Sequence, residues 1–458
     1  MHLRGFLRTG HPPTLLCAFL YFDVSFMVWV LLGALANAIV DQLRLNDAQR
    51  GLMIAVPLLG GALLRLVLGV LTDRLGARRT GLIGLTLTVV PLLLGWLWAD
   101  DFGEVLCVGL LLGVAGASFA VALPLASRWY PPRYQGLAMG IAGAGNSGTA
   151  LATFFAPRLA AALGWHAVFG IALVPILVTL ALFALFAWDS PTQPAPGPLG
   201  EYARVLRQRD TWWFCLFYSV TFGGFVGLAS FLNSFFKLQY GLDAVAAGNF
   251  ATLCVVAGSF LRPIGGHLAD RLGGVRLLVG LYVGVGLLML RMSALPPLAA
   301  GTVLLFLGMG LLGMGNGAVF QLVPQRFAKE IGVVTGVVGA AGGVGGFFLP
   351  NLLGGLKQLT GSFAGGFFVF GFVGLGCAAC LLYAARTWVR EFLGRGGVAV
   401  EQAPTIPAAP ADGITAGAPA LSLAGKALRS FHHTATLGAG VETADRRLDT
   451  PSGEPYEP

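Results

Sequence analysis

The sequence predicts an all-α membrane protein, with 12 transmembrane helices in two pseudo-symmetric six-helix bundles. Three observations carry that prediction. Of 458 residues, 56% are hydrophobic and only 11% charged, about half the charged content of an ordinary soluble domain. Apolar stretches long enough to cross a hydrocarbon core of ~30 Å recur along the chain. A shift of 197 residues lays the second half of the sequence onto the first.

The predicted spans cover residues 14–40, 50–71, 80–98, 104–127, 135–157, 166–188, 212–236, 245–268, 274–291, 297–323, 331–355 and 363–386. Their apolar runs are continuous, which argues for helices, because barrel strands would show alternating segments of ~10 residues. DRLGARR, RWYPPR and DSPTQPAPGP all fall between spans, where turn-forming residues belong. The 67 glycines have no G-X-Y period, so they point to closely approaching membrane helices rather than to collagen. The first span is too long for a signal-peptide core and has no cleavage site after it, so it is expected to be retained.

This gives an N-terminal segment 1–13, a first bundle 14–188, a linker 189–211 rich in Pro and then Arg, a second bundle 212–390 and a tail 391–458. The tail is poor in apolar residues and is expected to be disordered, with His432 and His433 solvated. With both termini inside, the inner segments hold 17 Lys and Arg against 6 outside, and one outer loop is acidic (Asp100, Asp101, Glu104). The cytoplasmic side carries the basic excess. The net charge of +8 therefore reads as membrane topology and not as nucleic-acid binding.

The six cysteines are scattered, mostly in apolar runs where a thiol packs as a small hydrophobe. Cys377 and Cys380 form a C-x-x-C without a second ligand pair, so neither a metal nor another cofactor is expected.

Within the repeat, GALLRLVLGVLTDRLGARR aligns with GSFLRPIGGHLADRLGGVR, placing Arg65 on Arg262 and Asp73 on Asp270. The same shift places Gly145 and Gly148 on Gly342 and Gly345. Two halves in the same orientation form the parallel-repeat plan in which a substrate site lies at the interface.

Arg65 and Arg262 each sit eight residues before the loop aspartate, about 12 Å into the membrane. An arginine at that depth costs at least ~2.5 kcal/mol and should face a bundle interior. Snorkelling over two turns is unfavourable, and Asp23 is the one carboxylate well inside an apolar run. Related by pseudo-symmetry, the two guanidinium groups should converge and demand an anion. Their planar, bidentate donors suit a small flat oxyanion, although a carboxylate or oxalate is also compatible. Asn146 and Asn316 place amides at depth, where they can bind substrate or tie helices together. Gly143, Gly145, Gly148, Gly342 and Gly345 would permit close packing and sliding of helices.

The pattern G-x-L-x-D-R-x-G-x-[RK] around Gly69, Asp73 and Arg74, and again around Gly266, Asp270 and Arg271, resembles the cytoplasmic loop signature of the major facilitator superfamily. Thr72 stands where Ala is common, and Gly274 and Val275 precede Arg276 in the second copy. GIAGAGNSGTALATFFAPRLA and GVVTGVVGAAGGVGGFFLP resemble the paired nitrate signatures of the nitrate/nitrite porter family. FLYFDVSFMVWVLLGAL, GASFAVALPLASRWYPP and GMGNGAVFQLVPQRF extend the likeness to about residue 390.

The resemblance implies a monomeric, multi-pass plasma-membrane (inner-membrane) transporter with nitrate, nitrite and protons as its partners. It would work by alternating access, as a nitrate/proton symporter or a nitrate/nitrite exchanger. It also implies an anion held between the rings of Phe119, Tyr218 and Phe222, the last two sharing a helical face. Asp23 is the candidate proton site, and Asp73 and Asp270 are expected to latch the inner gate. The rival readings are an organic-anion exchanger of the oxalate or formate type and, from another class, an anion channel. An enzyme is disfavoured because the spans lack a His cluster or a nucleophile with its base.

Overall fold

The computed structural model describes residues 6, 9–191, 199–327 and 331–391. The tail beyond 391, the centre of the linker and most of the first eight residues lie outside these. Among the described residues the chain is helical and contains no strand.

The long helices begin with α1 (Pro12–Leu43, interrupted at Val30), α2 (Asp47–Leu75), α3 (Ala77–Leu97) and α4 (Phe102–Ser127, interrupted at Ala117 and Ser118). They continue with α5 (residues 132–163), α6 (Trp165–Phe186), α7 (Arg209–Tyr240) and α8 (Ala244–Leu272, interrupted at Leu261). The set closes with α9 (Gly274–Met292), α10 (Leu298–Arg326), α11 (Ile331–Thr360) and α12 (Ala364–Glu391). A short linker helix, Leu199–Arg207, precedes α7.

Eleven of the twelve are long and apolar enough to cross a membrane as continuous or nearly continuous helices. The exception is α5. It divides into Pro132–Gly143, a 3-10 turn at Ala144–Ser147 and a second α-helix, Gly148–Leu163. The sequence led us to expect one helix there. The break falls inside the glycine signature, where Gly weakens helix, and Ser147 in the 3-10 turn donates to Asp23 Oδ1.

Asn46 and Gln49 form a capping box at the start of α2, and Asp101 and Glu104 form another at α4. The outer acidic loop therefore has a local structural job.

The repeat is visible in the backbone. Left-handed residues recur in pairs 197 apart: Arg44 (φ 53°) and Gly241 (φ 66°), Gly76 (φ 90°) and Gly273 (φ 92°), Gly164 (φ 79°) and Gly361 (φ 73°). Each pair closes the equivalent turn in the two halves. Gly76 and Gly273 lie on the face where α1 begins and α12 ends, called here the terminal face. The other four lie on the far face.

The halves meet along three seams, and all three are closed toward the far face. In the α1–α7 seam, Asn37 Nδ2 donates to Asn233 O (3.1 Å), Asn233 Nδ2 donates to Ala34 O (3.3 Å), and Lys237 pairs with Asp41. In the α2–α11 seam, Asp47 N donates to Gln358 Oε1 at 3.1 Å, and a Cβ on Gly51 would lie 2.7 Å from Pro350 O. In the α5–α8 seam, the hydroxyls of Thr153 and Thr252 are 2.8 Å apart and Arg158 donates to Asn249.

Toward the terminal face the seams part. A Cβ added to Gly140, Gly143 or Gly336 would meet nothing within 4 Å.

Candidate functional site

Arg65 of α2 and Arg262 of α8 lie on the terminal side of these seals. Arg65 is fully buried and Arg262 is 9% exposed. Arg65 is fixed by two backbone carbonyls: Nε donates to Gly116 O at 3.0 Å and Nη1 to Gly339 O at 2.6 Å. The first acceptor is available because α4 is interrupted there, so that Ala120 N–H turns to Ala117 O. The second belongs to α11, so Arg65 ties the two halves together.

Aromatic rings surround the guanidinium. Its carbon lies 5.1 Å from the Trp29 ring, 5.4 Å from Phe119 and 4.9 Å from Phe222. Arg262 lies 5.7 Å from the same Phe119 ring. Trp29 can approach because Gly61 and Gly116 lack side chains: a Cβ there would fall 2.7 Å and 2.3 Å from the indole. Its Nε1 donates to Pro57 O at 2.6 Å.

Tyr218 and Phe222 stack at 5.1 Å with 9° between their planes. Gly342 seats this pair, since a Cβ would come within 2.7 Å of Tyr218 and 2.9 Å of Phe222. Phe320 packs edge-on to Tyr218 at 4.9 Å and lies 5.9 Å from Phe119, with Phe22 on the other helix 5.6 Å from Phe119. The Tyr218 hydroxyl interacts electrostatically with both arginines, more strongly with Arg262 than with Arg65.

Several buried polar atoms here have no protein partner: Arg65 Nη2, Arg262 Nη1, Tyr218 Oη and both amide atoms of Asn146 and Asn316. No carboxylate forms an ion pair with either arginine among the described residues. Leaving buried donors unsatisfied costs about 1–3 kcal/mol each. Two guanidinium groups and a hydroxyl thus present donors without protein acceptors, the chemistry that an anion would complement. Asn146 lies in the 3-10 turn of α5, and its carbonyl accepts from Ser259 Oγ of α8 at 3.5 Å. Asn316 is buried in α10 and occupies the position in the second repeat that Phe119 holds in the first.

The remaining expected residues fall into three groups. The signature glycines pack each segment against the first helix of its own half. A Cβ on Gly148 would lie 1.8 Å from Asp23 O, one on Gly145 2.8 Å from Phe22, and one on Gly345 2.2 Å from Ser219 O. Gly143 faces open space. Asp23, 8% exposed, accepts from Ser147 Oγ at 2.7 Å and from the Gly148 amide, so it caps the second half of α5 and contacts neither arginine.

The loop motif supplies the third group. Asp73 pairs with Arg128 at 2.8 Å inside the first half. Arg74, Asp270 and Arg271 are exposed on the terminal face, and Gly69 and Gly266 have only loose neighbours. The position equivalent to Arg128 is Gln325, so the second copy keeps the turn without this ion pair.

Trp29, Phe22, Phe320 and the carbonyls of Gly116 and Gly339 were not singled out from the sequence. Phe320 follows Asn316 by four residues and Trp29 follows Phe22 by seven, spacings that share a helical face. The free Gly116 carbonyl has no such signal, because an interrupted helix leaves the apolar pattern unchanged.

Comparison with known proteins agrees with this architecture. The sequence profile of the Major Facilitator Superfamily matches residues 17–350. The chain is 35% identical over 352 residues to the nitrite extrusion protein of Bacillus subtilis, covering 77% of this chain and 89% of that one. It is 35% identical to the probable nitrate/nitrite transporter NarK2 of Mycobacterium tuberculosis, covering 75% and 89%. It is 33% identical to the probable nitrate/nitrite antiporter NarK1 of Thermus thermophilus, covering 75% and 84%. Among solved structures it resembles a bacterial homologue of the human lysosomal transporter Spinster, with a TM-score of 0.62, 18% identity and coverage of 83% and 98%. It also resembles the human organic anion transporter MFSD10, with a TM-score of 0.65, 16% identity and coverage of 81% and 99%. At those identities the structures speak for the fold alone. The chain is therefore a member of the major facilitator superfamily, and within it of the nitrate/nitrite porter family.

Proposed function

We propose that this protein carries nitrate and nitrite across the plasma membrane by alternating access, exchanging one anion for the other. One observation carries the reading: two buried guanidinium groups share the Phe119 ring, keep unpartnered nitrogens and have no ion-paired carboxylate. Two of the three nitrogens of Arg65 bear hydrogen bonds to protein carbonyls. What remains is one free edge from each arginine, a hydroxyl and flat ring faces, which suits a planar monoanion. The likeness to proteins named nitrate/nitrite transporters over about three quarters of the chain favours these anions over the oxalate-type exchanger.

The coupling follows from charge. An empty site with two uncompensated buried cations is costly, so the return step is favoured only when another anion fills it. Asp23 is bonded to Ser147 and Gly148, which supports a structural role for it rather than proton transfer.

In the orientation set by the basic loops, the terminal face is cytoplasmic. The bundles 14–188 and 212–390, joined by the linker 189–211, move as bodies within one monomer. The seams closed on the far face would then open as those at Gly143 and Gly336 close. Asn146 and Asn316 orient the anion.

Counterflow of labelled anions in proteoliposomes tests the reading. Nitrate and nitrite should exchange with each other, independent of an imposed pH gradient, while oxalate and formate exchange poorly. Preferred exchange of oxalate or formate, or conductive flux without a counter-anion, would overturn it.

A further inference from the structure

A third arginine is buried between the halves. Arg50, in the first turns of α2 near the far face, is 5% exposed. It stands fifteen residues before Arg65, about 22 Å away along the helix. Nη1 makes a long 3.4 Å hydrogen bond to Asn37 Oδ1, and Nε has no partner. Asp41 and Asp47 act on it electrostatically without forming an ion pair.

This is a poor place for a merely structural cation. A helix N-terminus carries positive potential of its own, which disfavours arginine there and favours an anion. The repeat does not require it either, since the equivalent residue in α8 is Ala247, also buried. Its one polar contact leads into the far seal, because Asn37 donates in turn to Asn233 O across the α1–α7 seam. Ser234 and Ser230 in the same stretch of α7 are buried with unpartnered hydroxyls. Separation of the halves on the far face breaks the Asn37–Asn233 contact and uncovers these groups together.

Resting on the transport reading above, we propose that Arg50 forms a second anion site, which captures the planar oxyanion at the far mouth and passes it to the Arg65–Arg262 site. Capture at one mouth is a sided property. It accelerates loading from the far face and leaves the central site, and loading from the terminal face, unchanged.

Arg50→Gln and Arg50→Lys, assayed for nitrate/nitrite exchange in right-side-out and inverted membrane vesicles, separate this from a latch. The Gln variant should lower kcat/KM for external nitrate about tenfold in right-side-out vesicles. It should keep the saturating rate and leave inverted vesicles unaffected. The Lys variant should recover most of the loss, because capture needs charge more than a planar fork. In the wild type and the Lys variant, far-side kcat/KM should fall with rising ionic strength, a readout that holds even if the Gln variant does not reach the membrane. Equal loss from both sides, a changed saturating rate at constant kcat/KM, or no dependence on ionic strength would overturn the proposal. Absence of nitrate/nitrite exchange in the wild type would instead sink the reading it rests on.

Discussion

Arg65 and Arg262 lie against one phenyl ring: the guanidinium carbons are 5.4 Å and 5.7 Å from the centroid of Phe119. A ring contributed by the first half thus spaces two cations from opposite halves. Phe119 itself is 1% exposed, so its position is set by packing against Phe22 and Phe320. That arrangement holds like charges near one another, with no ion-paired carboxylate among the described residues.

Lysine at either arginine should fail. At Arg65 it keeps the charge but cannot reach Gly116 O and Gly339 O while also presenting a free edge. Arg65→Lys and Arg262→Lys should each lose about tenfold to a hundredfold of exchange activity, with normal amounts of protein in the membrane. Near-normal counterflow by both variants would remove the site.

The signature glycines should divide into two classes. Gly148→Ala drives a methyl into the Asp23 carbonyl and should cost about 1–3 kcal/mol or more of stability, read as a lowered unfolding temperature in detergent. Gly143→Ala meets no neighbour in this state, so stability should be retained while turnover falls, because that surface must close in the opposite state. Equal stability of the two variants would refute the packing described here.

Asp23→Asn removes charge from the cap of the second half of α5. Nitrate/nitrite counterflow should fall by the same factor with and without an imposed pH gradient. Selective loss of acid-driven uptake would restore Asp23 as the proton carrier.

The ion pair of Asp73 with Arg128 is partly exposed, at 29% and 18%. A double-mutant cycle on thermal stability with Asp73→Asn and Arg128→Gln should give a coupling of about 1 kcal/mol or less. A larger effect on transport than on stability would show that the pair also governs opening of the terminal face.

Cysteines replacing Asp41 and Lys237, whose side chains meet across the far seal, should be joined through disulfides by a short bis-methanethiosulfonate reagent in a Cys-free background. The bridged protein should stop exchanging anions until the bridge is reduced. Undiminished exchange by a fully bridged sample would mean that the far seam does not have to open.

The sequence by itself determined the all-helical membrane fold, the internal repeat and the equivalence of Arg65 and Arg262 within it. Hydrophobic length and buried charge are written residue by residue and need no partner to be read. The tertiary structure alone decided the break in α5, the free Gly116 carbonyl and the placing of Trp29 between Gly61 and Gly116. It also decided that Asp23 caps a helix and that Arg50 lies in the far seal. Those outcomes depend on which faces of distant helices meet, and a polar side chain in an apolar run carries no mark of the neighbour that will satisfy it.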